Sequence, residues 1–467
     1  MKLRWLFLLL CLCTIGAVSA QTKKPAPKKP VTTTKKPATP AKAPVTPATK
    51  IQFTEYTLDN GLHVILHQDK TTPIVAVSMM YHVGSKNEKA DRTGFAHFFE
   101  HLLFEGSENI GRGEYDKYVQ GAGGTLNANT SFDRTYYYEV LPSNQLELGL
   151  WLESERMLHA KVEMKGIETQ REVVKEERRE RVENQPYGSI LEEVLKRSYK
   201  EHSYRWPTIG SMEHLNAAKE EDYKNFYKEF YVPNNAILSL AGDIDTVSAK
   251  KWIQKYFGSI PKGTKPIFRP TIVEPQQTVE IRDSVQDNIQ LPAVIQAYHI
   301  PAQGMADFYA VSMLGTLLSQ GESSRFYKSL VDDQQKAVFA GNFPLPTEDP
   351  GLSIAFGITN MGVSPKDLEA AMDAEIEKVQ KTLVSEVEFQ KLRNQIENDF
   401  ISANSSMIGI AESLANYKMY YKDANLINTE IQRYMKVTRE DIQRVAKKYF
   451  NKNNRVVLYY VPKAPQP

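Results

Sequence analysis

The sequence is poor in cysteine, in long apolar runs and in histidine. Its two cysteines, Cys11 and Cys13, both lie near the N-terminus, so no disulfide can stabilise the remainder of the chain. No later segment is long and apolar enough to cross a bilayer. We therefore expect a body that folds on its hydrophobic core alone and has no integral membrane segment.

The N-terminal segment, up to Ala20, is typical of a secretory signal peptide. Lys2 and Arg4 precede an apolar run from Trp5 to Cys13, and small residues follow up to Ala20. This run is too short for a permanent membrane anchor. We therefore predict that residues 1–20 are a signal peptide and that the chain is exported.

Residues 21–50 lack acidic side chains and contain eight lysines, seven prolines and seven threonines. This composition favours extended chain over a packed core, so it predicts a disordered tether. The signal supplies +2 and the tether +8 of a formal net charge of +2, which leaves −8 for residues 51–467. An acidic body excludes the basic face that nucleic-acid binding needs. The tether's lysines could contact anionic lipid or cell wall, but a spacer explains them more simply.

The remaining residues contain an internal repeat. Residues 221–238 match residues 440–457 at a constant offset of 219. In both copies a helix ending in two aromatic residues is followed by a paired-asparagine turn and an apolar strand. The repeat predicts two α+β domains, at 51–263 and 280–467, joined by a linker at 264–279.

The two predicted domains differ in chemistry, because only the first contains the motif His97-x-x-Glu100-His101. Two histidines four residues apart on a helix face the same side and can bind one Zn²⁺. Glu100 lies beside them, where it can take a proton from an attacking water. A buried helix without metal is the alternative, but its unpaired glutamate would be costly among phenylalanines and leucines. We therefore predict a zinc site with Glu100 as the catalytic base.

A catalytic zinc site needs a third protein ligand. An acid-rich helix predicted over residues 168–183 offers several candidates. Ile167, Val173 and Val174 are predicted to mark its buried stripe, and Glu177 continues that stripe. The remaining glutamates alternate with arginine and lysine and are interpreted as a solvated charged face. Helical phase therefore favours Glu177.

Taken together, these features resemble the pitrilysin/insulinase family of zinc endopeptidases, whose fold is that of mitochondrial processing peptidase. The likeness covers nearly all of residues 52–462 and is greatest with the short bacterial members. It includes residues 60–62, 123–128, 171–177 and 241–243. Relatives place a glutamate ligand after the motif at the spacing that separates Glu177 from His101 here. The resemblance thus implies Zn²⁺ on His97, His101 and Glu177, and it favours a periplasmic destination.

The same resemblance implies further details of fold and site. The fold would be α+β, with two homologous α/β-sandwich domains enclosing a chamber. A substrate peptide would add as a strand to a sheet edge near Asn127 and Ala128, with Asn127 holding its main chain. Where many relatives have a glutamate that supports the third ligand, this chain has Gln170, which keeps a hydrogen-bonding group without the charge.

One departure from the family lies in the second half. Self-sufficient relatives have an arginine and a tyrosine there that bind substrate, and the matching positions here are Val331 and Val338. Neither valine can donate a hydrogen bond. In heterodimeric relatives the metal and the arginine/tyrosine pair lie on different chains. Arg325 or Tyr327 could substitute, although we expect both to face solvent or neighbouring helices.

The sequence therefore predicts a secreted zinc endopeptidase that cleaves peptides or unfolded chains. We expect it to be the metal-bearing subunit of a heteromer with a homologous partner. A non-catalytic peptide-holding subunit that keeps a structural zinc is the alternative, and a self-sufficient homodimer is a third possibility.

Overall fold

The computed structural model describes residues 50–463. The predicted signal peptide, and all of the predicted tether except its last residue, lie outside this range. Within residues 50–463, no helix is long and apolar enough to cross a membrane. Two β-sheets with their covering helices make up the described chain, one sheet in each half of the sequence.

The first half contributes a six-stranded sheet and eight α-helices. Its strands are β1 (Thr54–Thr57), β2 (His63–Gln68), β3 (Ile74–Tyr81), β4 (Thr125–Thr130), β5 (Thr135–Pro142) and β6 (Ala236–Gly242). Its helices are α1 (Phe95–Leu102), α2 (Tyr115–Gly121), α3 (Leu146–Leu158), α4 (Met164–Arg178), α5 (Ile190–Ser198), α6 (Met212–Ala217), α7 (Glu220–Phe230) and α8 (Thr246–Phe257). A π-helical turn, Arg179–Glu183, extends α4.

The second half contributes a five-stranded sheet and seven α-helices. Its strands are β7 (Ile281–Asp287), β8 (Ala293–Ile300), β9 (Ala337–Pro344), β10 (Gly351–Thr359) and β11 (Arg455–Pro462). Its helices are α9 (Ala306–Ser319), α10 (Pro365–Lys381), α11 (Glu386–Ala403), α12 (Met407–Tyr421), α13 (Leu426–Thr429), α14 (Ile431–Met435) and α15 (Arg439–Tyr449).

The two sheets have equivalent topologies. The first is ordered β1-β2-β6-β3-β5-β4 and the second β7-β11-β8-β10-β9. In each, the last strand of the half lies parallel to its outer neighbour and antiparallel to its inner neighbour. β3 and β8 are related by the offset of 219, as are the first residues of α7 and α15 and of β6 and β11. The two-domain α+β prediction and the repeat are thus confirmed.

Each sheet is covered by helices on both faces, which explains why its central strands are buried along almost their whole length. β3, for example, is buried at every position after Ile74, as expected where neither face meets water. One face of each sheet packs against helices of its own half in a large apolar core. No helix or strand lies between α8 and β7, and the boundaries 51–263, 264–279 and 280–467 stay a prediction.

The opposite faces are covered by an exchange of helices between the halves. α5, from the first half, packs its Val194 and Leu195 on the second sheet. α12, from the second half, packs Ile410 and Leu414 on the first sheet. When α5 is shifted by the repeat offset it falls within α12, so the exchange is reciprocal. Each half therefore completes the core of the other.

Candidate metal centre

Helix α1 presents two faces of opposite character. Its phenylalanines and Leu102 are buried in the core of the first half. His97 and His101 emerge on the other side, towards α4 and the edge strand β4, both of which pack against α1. The helix predicted from the motif is therefore present, and it carries both histidines on one side.

The third candidate ligand comes from the last turn of α4. Ile167, Arg171 and Val174 form the buried stripe of this helix, and Glu177 follows Val174 by one turn. The prediction that Val173 belongs to this stripe is wrong, because its side chain is 43% exposed. The stripe runs at spacings of four and three through Arg171 instead, with the arginine donating to the Ala218 carbonyl.

Three ligand atoms from these residues converge. His101 Nε2 lies 3.3 Å from His97 Nε2, and Glu177 Oε2 lies 3.1 Å from His101 Nε2 and 3.4 Å from His97 Nε2. Ligands about 2.0–2.1 Å from a tetrahedral zinc are roughly 3.3 Å apart, so the triangle fits that ion. Within residues 50–463, this is the one group of His, Cys, Asp and Glu side chains that could hold a metal.

The protonation states at this centre also suit a cation. Burial lowers the pKa of His97 to about 4, although Glu177 acts to raise it. Burial acts to raise the pKa of Glu177, but the His101 hydrogen bond and the charges of His97 and Arg181 lower it to about 2. At neutral pH the centre therefore offers a neutral imidazole at His97 and a carboxylate at Glu177.

Glu100 differs from Glu177 in its surroundings. Burial raises its pKa, while the Thr130 side chain and His101 lower it. A carboxylate whose proton affinity is raised by burial is better matched to accepting and returning a proton near neutral pH. Thr130 is the last residue of β4, so the edge strand and α1 meet at Glu100.

The predicted substrate-binding residues Asn127 and Ala128 lie on the edge strand β4. This strand pairs with β5 on one side only. Asn127 is exposed and Ala128 is half-buried, and the Asn127 Oδ1 accepts a hydrogen bond from the Ala128 N–H at 2.8 Å. The structure thus provides an open edge beside the centre, whereas peptide binding there stays a prediction.

Gln170 contacts the chain next to the metal centre through its hydrogen bond to Glu105. It lies on α4 and donates a hydrogen bond to Glu105, which also pairs with Arg112. Glu105 lies just beyond the end of α1. Gln170 therefore ties α4 to the chain leaving α1, and its influence on the centre stays a prediction.

The second half holds no comparable polar group at the two valine positions. Val331 lies in a π-helical turn, Tyr327–Asp333, and Val338 is exposed on the edge strand β9. Arg325 makes two 3.1 Å hydrogen bonds to Glu388, so it pairs with a neighbouring helix, as expected.

Three of the remaining histidines form hydrogen bonds with carboxylates outside the centre. His82 Nε2 lies 2.9 Å from Glu348, His202 Nε2 lies 3.3 Å from Asp349, and His63 Nε2 lies 2.8 Å from Glu55.

Sequence reasoning missed one contact at the centre. Arg181 was interpreted as part of a solvated face, and its side chain is indeed 52% exposed, yet its Nη1 lies 2.6 Å from Glu177 Oε1. The arginine occupies one carboxylate oxygen and leaves the other facing the histidines. The i, i+4 spacing of Glu177 and Arg181 was the available signal.

A two-sheet α+β fold with two histidines and a glutamate that could hold a metal is what inverted-motif zinc peptidases require. Family models agree. The model described as "Insulinase (Peptidase family M16)" matches residues 63–211, and "Peptidase M16 inactive domain" matches residues 218–396. The chain is 32% identical over 412 residues to the zinc protease PqqE of Helicobacter pylori, covering 87% of this chain and 92% of that protein. The chain therefore belongs to peptidase family M16, the insulinase family.

Solved structures show the same fold. A protease from Helicobacter pylori superposes with a TM-score of 0.85 at 30% identity, over 88% of this chain and 100% of that one. The first half of the periplasmic protease PqqL from Escherichia coli gives a TM-score of 0.72 at 18% identity, over 88% of this chain and 92% of that one.

Proposed function

We propose that this protein is a zinc-dependent endopeptidase whose metal is held by His97, His101 and Glu177. The convergence of their three ligand atoms at 3.1–3.4 Å carries the proposal. Names of relatives such as the zinc protease PqqE support the same activity. Zinc bound there would act as a Lewis acid towards the peptide carbonyl and make a nearby water more acidic.

The chain's own residues would perform the remaining steps. Glu100 would accept the proton of the attacking water and return it to the leaving amine. Arg181 would keep Glu177 turned towards the histidines by occupying Oε1. The open edge of β4 would bind the substrate as an added strand, with Asn127 and Ala128 beside the scissile bond. A chamber between the halves would favour unfolded peptides over folded proteins.

Metal removal tests this function most simply. Purified protein is assayed on quenched fluorescent peptides before and after treatment with a zinc chelator, and then after zinc is restored. We expect cleavage to disappear and return with the metal. Cleavage that persists in zinc-free protein would contradict the proposal.

We further propose that the chain is exported to the periplasm and acts as the metal-bearing subunit of a heteromer. Val331 and Val338 support the heteromer, because neither side chain can bind a substrate carbonyl or stabilise an oxyanion. Mixing with a homologous subunit that has the arginine and tyrosine should raise kcat/KM sharply. Full activity of the chain alone would instead support a homodimer. Zinc binding without cleavage in any pairing would support a peptide-holding subunit.

A further inference from the structure

The loop that leads into α1, residues 82–94, is unusual because it is largely buried. Connecting loops normally run over the surface, where water satisfies their backbone. Here Ser85, Lys86, Asn87 and Glu88 are each at most 4% exposed. We call this segment the β3–α1 loop. Two of its buried side chains, Lys86 and Glu88, are ionisable, and they contact different parts of the molecule.

Glu88 supplies the N-terminal cap that α1 otherwise lacks. The N-cap residue is Gly94, which has no side chain to accept from the first free N–H groups. Glu88 Oε2 accepts from the Gly94 N–H at 2.9 Å, and Oε1 accepts from the Ala96 N–H at 2.8 Å. Burial raises the pKa of Glu88 to about 8, although these two backbone hydrogen bonds act to lower it. His97 directly follows Ala96, so the cap fixes the backbone from which the first ligand projects.

The conformation of Gly94 explains why another residue must cap the helix. Its φ is +92°, and a Cβ there would lie 2.8 Å from the Ile209 carbonyl. A capping serine, threonine or aspartate at this position would therefore be strained and would clash. The buried carboxyl group of Glu88 is the substitute.

Lys86 connects the same loop to the second half. Its Nζ lies 2.6 Å from Glu348, 3.1 Å from Asp349 and 3.2 Å from Asp133. Glu348 and Asp349 belong to the turn between β9 and β10, whereas Asp133 belongs to the first half. The Glu348 N–H in turn donates to Asp133 at 2.9 Å. This cluster joins the halves just before Glu88 in the chain.

We propose that Glu88 is a positioning residue for the metal helix and that the second half, through Lys86, holds Glu88 in place. The inference rests on the proposed zinc site and assigns the second half a role in assembling it. Zinc affinity should then depend on residues that never touch the metal. Supporting groups around a metal site affect its affinity or activity by roughly 10- to 100-fold.

The test measures the zinc dissociation constant by chelator competition on the full chain. Glu88→Gln keeps one acceptor oxygen, and Glu88→Ala removes both. Glu348→Gln combined with Asp349→Asn removes the anchor of Lys86 from the second half. Glu388→Gln is the matched control, because it breaks the ion pair with Arg325 within the second half. Thermal unfolding of the zinc-free proteins identifies any variant that does not fold.

We expect zinc binding to weaken about tenfold in Glu88→Gln, more in Glu88→Ala, and severalfold in the Glu348/Asp349 variant. The control should bind as the wild type does. Combining Glu88→Ala with the Glu348/Asp349 changes should add little further loss, since both act through one connection. In zinc-saturated enzyme, kcat should fall more than KM rises.

Three results would overturn the inference. One is wild-type zinc affinity in folded Glu88→Gln and Glu88→Ala. The second is a Glu348/Asp349 variant that behaves like the Glu388→Gln control. The third is a combined variant whose losses are fully additive. If the wild type binds no zinc, the proposed function itself is contradicted. The wild-type measurement shows this before any variant is made, so this failure can be told apart from failure of the inference.

Discussion

The two halves of this protein place very different side chains at equivalent positions. At the repeat offset, Glu177 corresponds to Ile396, which is 2% exposed in the core of the second half. His97 and Glu100 correspond to Thr316 and Ser319, whose hydroxyls donate to carbonyls of their own helix, α9. In the first half, the polar atoms at these positions face one another. In the second half, the hydroxyls at the matching positions donate to backbone carbonyls of their own helix.

This difference separates the requirements of a fold from those of a site. Both halves preserve the sheet order and the exchanged helix. A helix whose hydroxyls bond back to its own backbone needs no ligand. Three ligand atoms gathered within 3.4 Å of one another are costly without a cation between them. We therefore infer that metal chemistry belongs to the first half alone.

Separating the halves should have the largest effect. Residues 51–263 expressed alone would expose Ile65, Met80 and Tyr136, which α12 covers in the whole chain. We expect no folded monomer, as measured by NMR dispersion. Coexpression with residues 264–467 should restore the fold. A well-dispersed spectrum from either half alone would contradict the reciprocal exchange.

Glu100→Gln should lower kcat by about 10²- to 10⁴-fold, the usual contribution of a general base. Zinc content should not change, since the three ligands remain. Glu176→Gln is the matched control, because Glu176 is exposed and pairs with Arg179 on the neighbouring turn. Comparable losses in both variants would argue against a specific role for Glu100.

Ile396→Ala should lower the free energy of unfolding by about 3 kcal/mol, because it leaves a cavity in the core of the second half. In zinc-free protein, Glu177→Ala should lower that free energy by less, since the ion pair of Glu177 with Arg181 is partly exposed. Chemical denaturation measures both. Equal effects at the two positions would remove the contrast between the halves.

The ion cluster between the halves should make stability sensitive to acid. Burial acts to raise the pKa of Glu348, but His82 and Lys86 lower it to about 2 from 4.5. A depressed pKa stabilises the fold above pH 4.5, and this contribution disappears as pH falls towards 2. Glu348→Gln should therefore reduce the stability lost over that interval by about 2 kcal/mol. An unchanged pH profile would show that Glu348 is not coupled to folding.

Much of this arrangement could be predicted from local sequence. The spacing of His97 and His101 fixes their common helix face, and the repeated aromatic and asparagine residues mark the equivalent ends of the halves. Glu177 was predicted as a ligand through helical phase and family spacing, although Val173 was wrongly assigned to the buried side. These features depend mostly on neighbours within one or two turns.

The features that escaped prediction depend on the conformation of a buried loop and on long-range contacts. Glu88 caps α1 from six residues before its N-cap, through a buried loop with no capping pattern. Lys86 finds its partners Glu348 and Asp349 in the other half of the sequence. α5 covers the second sheet and α12 covers the first, so each helix packs on the sheet of the other half. Periodicity shows that a helix has an apolar face, but not which surface that face meets.

Zinc stoichiometry in the wild type, Glu177→Gln and Glu176→Gln most directly tests whether the first half holds the metal. Mass spectrometry measures the metal content of each protein after dialysis. The two glutamates are adjacent on α4, but only Glu177 faces the histidines. We expect about one zinc per chain in the wild type and in Glu176→Gln, and little in Glu177→Gln. Equal zinc retention by both variants, or none in the wild type, would contradict the proposed metal centre.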